Sequence, residues 1–165
     1  MIQDFDSQLQ VSLRALQDVV APALADKEKH VVEQLGLAIF TIGFVKARLP
    51  DARRFYRMEL RTWIDLARGV AAISATEDRF ASSIDAAETV LKDPEKDLTD
   101  FESASRQLRD AVTAAGSSDA IEPAQQRRIA TAILARHSEM LAQSRQWCLP
   151  FGFELQPELL LKPAW

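Results

Sequence analysis

The sequence predicts an all-α fold: a single-domain bundle of five or six helices, followed by an apolar, irregular C-terminal tail. Three observations carry this expectation. Glycine is scarce, at 5 of 165 residues, while Ala, Leu, Arg, Glu and Gln are plentiful, a balance that favours helix over sheet. Apolar residues recur at steps of three and four along most of the chain. No stretch alternates apolar and polar residues over a useful strand length. The bundle is expected over residues 1–148 and the tail over 149–165, packed on the bundle or on a partner.

Helix one is expected over about 6–21, where Phe5, Leu9, Leu13, Leu16, Val20 and Leu24 share one face. Pro22 kinks or ends it, because proline lacks an amide donor and crowds the turn before it. Helix two follows Asp26, a residue type suited to an N-cap, and runs to about 49. Between 31 and 45 it is apolar nearly all round, through Val31, Val32, Leu35, Leu37, Ile39, Phe40, Ile42 and Phe44. A helix without a polar face needs cover on several sides, so helix two is read as the central helix or as a subunit interface. Gly36 and Gly43, two turns apart, leave room for a neighbouring backbone and cost about 1 kcal/mol each in helix propensity. Lys46 and Arg48 close the stretch before it reaches the roughly 20 residues of a membrane span, so no span is expected.

Helix three runs over about 51–73 after Pro50. Phe55, Met58, Thr62, Leu66, Val70 and Ile73 mark its core face. That face continues in phase through Phe80, Ile84, Ala87 and Leu91, which fits one long helix or two. The Ser74…Glu77 spacing of a capping box favours a break. Asp93-Pro94 stops helix four. Thr99…Glu102 repeats the capping spacing ahead of helix five, whose stripe is Phe101, Leu108, Val112 and Ala115. Gly116 is the expected stop. Pro123 opens helix six, which runs to about Trp147. The tail carries Phe151, Phe153, Leu155, Leu159, Leu160, Leu161 and Trp165, too apolar to hang free in water.

Net charge is −4, without the basic excess of a general nucleic-acid binder, so no nucleic-acid partner is expected. The N-terminus lacks the pattern of a secretory signal. Cys148 is the one cysteine, which excludes an intrachain disulfide and fits a cytoplasmic location; it reads as a small buried apolar residue. The two histidines lack the spacing of zinc or di-metal sites, and His30…Glu33 is a weak pair. No phosphate-binding loop or nucleophile elbow occurs. No catalytic residue, metal or cofactor is therefore expected.

Three constellations remain. Glu59 lies within the arc of Phe55, Thr62, Leu66 and Val70, so a carboxylate points to the core or its rim. His137 lies among Ile133, Leu134, Met140 and Leu141 on helix six. If helices three and six pack face to face, Glu59 and His137 form the polar end of a ligand pocket, or a structural polar pair. Arg54, Arg57, Arg61 and Arg68 form a stripe on helix three. Residues 46–68 hold seven basic and three acidic side chains. Such a stripe meets an acidic face of its own chain or of a second subunit, or an anionic partner. The leading expectation is a homodimeric accessory or protein-interaction protein without catalysis. The alternatives are a small-molecule-binding bundle or enzyme with a pocket between helices three and six, and a regulator that binds an anionic partner through the stripe.

Overall fold

A computed structural model describes residues 4–24, 26, 28–74, 77–117 and 121–165. These residues are all-α, with no strand among them. They group into two compact units: Met1–Pro50 with Trp147–Leu159, and Asp51–Gln146 with Leu160–Trp165.

In the first unit, α1 spans Phe5–Arg14 and starts at Asp4, whose carboxylate accepts the Ser7 amide at 2.8 Å. The helical path continues through a wide π turn, Ala15–Val20, and ends after Ala21–Ala23. The π turn ends two residues before Pro22, whose ring would crowd the carbonyl four residues back in a tighter turn. α2 spans Lys29–Arg48. Asp26 does not cap it: Asp26 stands three residues before the first helical residue, and Glu28, at the cap position, makes no side-chain cap bond.

The expectation that α2 is the buried centre of the bundle is corrected here. None of its residues is buried, and Val32, Leu37, Phe40 and Val45 are exposed. The cover it has is one-sided. Lys46 reaches Asp6 of α1 at 2.8 Å. Phe44 stacks on Phe151 with ring centroids 4.3 Å apart and meets Trp147 edge-on at 6.1 Å. Arg48 donates to the Trp147 carbonyl at 2.7 Å. The start of the tail therefore does dock, through the 3-10 turn Leu149–Phe151. Gly152 closes that turn at φ 73°, a left-handed conformation that suits glycine. Beyond it Phe153, Leu155 and Leu159 are exposed. Gly36 and Gly43 do not admit a neighbour from among the described residues: none of their atoms comes within 4 Å of where a Cβ would sit at either.

The second unit holds α3 (Ala52–Ser74), α4 (Glu77–Lys92), α5 (Leu98–Gly116) and most of α6 (Pro123–Trp147). α3 is its central element. Phe55, Leu66 and Val70 are buried, as their stripe predicts, and so are Leu60, Trp63, Ile64, Ala67 and Ala71. That wide apolar arc packs on Phe80, Ile84 and Ala87 of α4 and on Phe101, Leu108 and Val112 of α5. Polar residues at its edge lay their stems over the core. Arg53 and Arg57 place their guanidiniums 5.3 and 5.6 Å from the centre of the Phe101 ring. Arg53 also donates to the carbonyls of Lys96 and, at 2.8 Å, of Pro94, satisfying the joint between α4 and α5.

The residues 75–76 between α3 and α4 lie outside the described residues, as does the Glu77 side chain of the expected capping box. Ser74 turns its hydroxyl backwards, donating to the carbonyls of Val70 at 2.8 Å and Ala71 at 3.3 Å. At α5 the box forms two residues earlier than expected. Asp97 accepts from the amides of Thr99 and Asp100, and Asp100 accepts the Asp97 amide at 3.0 Å. The helix begins at Leu98, so Asp97 holds the cap position and Glu102 is left to pair with Arg106 at 2.8 Å. Gly116 is the last residue of α5; a methyl there would meet Ile133 of α6 at 3.6 Å.

α6 approaches the other helices closely at few backbone positions. It is held by Ile129, which is fully buried, by Ile133 and Met140 against the core, and by the Gln125 amide donating to the Ile73 carbonyl at 3.3 Å.

One consequence concerns Gly69, in the interior of α3 with open space around its Cβ position. Gly69→Ala removes backbone freedom from the unfolded chain without a clash, so stability should rise by about 0.5–1 kcal/mol. A lowered midpoint in thermal unfolding would mean that a neighbour occupies that space.

Candidate functional site

The gap that α6 leaves beside α3 is a cavity of about 440 Å³. Phe55, Met58, Glu59 and Thr62 form its α3 wall. Arg136, Glu139, Met140, Gln143 and Ser144 form its α6 wall, and Leu161 and Ala164 of the tail close one side. The end of the tail is tied down there. The Trp165 ring meets Phe55 edge-on with centroids 5.3 Å apart, and the Ala164 amide donates to Gln143 Oε1 at 3.1 Å.

Glu59 sits where the α6-facing arc of α3 meets the α5-facing arc, so it lines two spaces. The second is a polar cleft of about 230 Å³ between α3 and α5, with Tyr56, Trp63, Glu102, Ser105, Arg106 and Arg109. Burial pushes the Glu59 carboxyl above its ordinary value of 4.5. The Arg109 charge and a hydrogen bond from Trp63, one helical turn on, act against that shift. Tyr56 is raised as well, by burial and then by the charges of Glu102 and Glu59. The Ser105 hydroxyl is buried without a hydrogen-bond partner among the described residues.

His137 does not join this site. It is exposed, and the cavity lining does not include it. The buried strip of α6 is centred on Ile129, Ile133 and Met140, so Leu134, Leu141 and His137 fall outside it. The expected pairing of Glu59 with His137 is thereby corrected; Arg136, Gln143 and Ser144 occupy the polar positions instead. Trp63 and Arg109, the actual partners of Glu59, went unmarked. The four-residue step from Glu59 to Trp63 is the signal that was available.

The arginine stripe is spread over several partners. Arg54 pairs with Asp51 at 3.2 Å. Arg57 lies over the Phe101 ring. Arg68 pairs with Glu88 of α4. Arg61 is exposed and shares a shallow cleft with Asp65, Arg68 and Glu88. His30 lies 3.3 Å from Glu28 rather than with Glu33, which pairs with Lys29. Cys148 is exposed, not buried. Among the described residues no three His, Cys, Asp or Glu side chains are grouped to hold a metal ion.

No family model, curated protein or solved structure matches the chain.

The raised carboxyl has a consequence for stability. Folding favours the protonated form of Glu59, so its contribution is most favourable below pH 4.5 and turns unfavourable as pH rises through the folded-state value. Glu59→Gln keeps the shape and removes the charge. The stability of this variant relative to the parent should be greater at pH 7 than at pH 4, read from unfolding midpoints at both. An equal difference at the two values would mean that the carboxyl is fully compensated.

Proposed function

We propose that this chain is an interaction protein without catalysis of its own, which self-associates through α2. The supporting observation is the unbalanced first unit. Among the described residues, eleven of the fourteen exposed large apolar side chains lie in it, while Leu13 is its one buried residue. A unit that leaves this much apolar surface in water is stabilised when something covers it.

The occupant that fits is a second copy of α2, antiparallel to the first. Gly36 and Gly43 are placed symmetrically about the midpoint between Ile39 and Phe40. A two-fold axis there sets each glycine against the other from the partner, and both have open space beside them. Glu28, Lys29 and Glu33 give the start of the helix a net −1, and Lys46 with Arg48, less the Asp6 charge that Lys46 meets, give its end +1. Antiparallel copies thus bring unlike charge together at both ends.

By length and composition the region Lys29–Ser74 also includes a helix able to cross a membrane. Sedimentation equilibrium at micromolar concentration tests the reading. Twice the chain mass is the expected result. A monomer overturns it, and a monomer that floats with phosphatidylcholine vesicles assigns the same surface to lipid.

A further inference from the structure

We propose that the cavity between α3 and α6 is a binding site for a small amphipathic organic cation, an ammonium group on a short apolar body. The cavity is of small-molecule size. Its walls are apolar where Phe55, Met58, Met140 and Leu161 stand, which suits a hydrocarbon chain. Its charge is unbalanced in one direction. Of the three ionisable side chains in the lining, Arg136 and Glu139 pair with one another at 2.6 Å. Glu59 is left without an opposite charge in that lining.

Glu59 also has acceptor capacity to spare. A carboxylate offers about four lone-pair positions, and the indole of Trp63 takes one. Arg109, the charge nearest to answering it, lines the neighbouring cleft and not this cavity, and burial raises the carboxyl despite that charge. An ammonium brings three donors and no acceptor, which suits a wall whose unmet demand is for donors. The Phe55 ring in the same wall adds an attractive face for a cation. An anion of the same shape would meet the Glu59 carboxyl, with the Arg136 guanidinium already held by Glu139. A neutral alcohol would fill the apolar part but leave Glu59 uncompensated.

The probes are hexylammonium, hexanol and hexanoate, titrated into nitrogen-15-labelled protein. The three tryptophan indole N–H resonances report on place. Trp63 bonds to Glu59, Trp165 packs on Phe55 at the rim, and Trp147 sits in the other unit beside Phe44. Hexylammonium is expected to shift Trp63 and Trp165 saturably while Trp147 stays still. It should bind about tenfold more tightly than hexanol, the worth of one charge-assisted hydrogen bond, and more tightly still than hexanoate.

Glu59→Gln should bring the ammonium and the alcohol to equal affinity. Met140→Trp, which fills the cavity with Glu59 intact, should abolish binding of both, so the proposal does not hang on one variant folding. Equal affinities for the three probes on the parent protein would overturn it, as would a preference for ammonium that survives in Glu59→Gln. Shifts confined to Trp147 would overturn it too, and would place the probe on exposed apolar surface of the first unit.

Discussion

Phe101→Ala should destabilise the protein by about 3–5 kcal/mol, a large share of the 5–15 kcal/mol that holds a typical domain folded. Phe101 has no exposed surface. It stands on the first turns of α5, directly after the Asp97 cap, and packs into the wide apolar arc of α3. Removing the ring leaves a void that its neighbours fill only in part. It also takes away the surface under the guanidiniums of Arg53 and Arg57. Arg53 is the residue that satisfies the Pro94 and Lys96 carbonyls, so the joint between α4 and α5 should loosen with the core. Urea unfolding followed by circular dichroism measures the change. Leu134→Ala is the control. It removes an apolar side chain from α6, but Leu134 is 69% exposed, and the expected change is within about 0.5 kcal/mol. If the two substitutions cost the same, α3 and α5 do not pack as described.

The contrast between Phe101 and Leu134 also marks how far the sequence could be read. The helices themselves were legible, because periodicity and proline act through neighbours within a few residues, whereas the caps at Asp26 and Thr99 were not. The stripe of α5 and the start of α6 at Pro123 fell where expected. Which helix is central was not legible. α2 is more apolar than α3, but burial depends on what packs against a helix, and hydrophobicity alone does not supply a partner. α3 looks polar because of its arginines, although Arg53 and Arg57 lie along the core with their charges at its edge. Glu59 was legible for the same reason: its arc is set by the helical period of α3. His137 was misread because α6 carries two apolar strips, Ile129-Ile133-Met140 and Leu134-Leu141, and only the first turns inward. A period cannot rank two strips on one helix; the fit between helices does that.

Phe40→Asp should break the proposed self-association while leaving the chain folded. Phe40 is 58% exposed in the single chain, so the change should alter the stability of the monomer by no more than about 0.5 kcal/mol. In the antiparallel arrangement Phe40 flanks the two-fold axis, and each dimer carries the substitution twice. Two carboxylates at the centre of an apolar contact should weaken the dimer by about 3 kcal/mol or more, at least a hundredfold in dissociation constant. Gly43→Ala gives a second reading with opposite signs. In the isolated chain a methyl there meets nothing within 4 Å, so helix propensity should stabilise the monomer by about 0.5–1 kcal/mol. At the dimer contact the same methyl faces the partner's Gly36 and forces the two backbones apart. Thermal unfolding of dilute protein should therefore shift upward while sedimentation equilibrium shows weaker association. A variant that misfolds lowers both quantities, and one remote from any contact leaves association unchanged. Only a close approach of two α2 helices at Gly43 separates the two in this way.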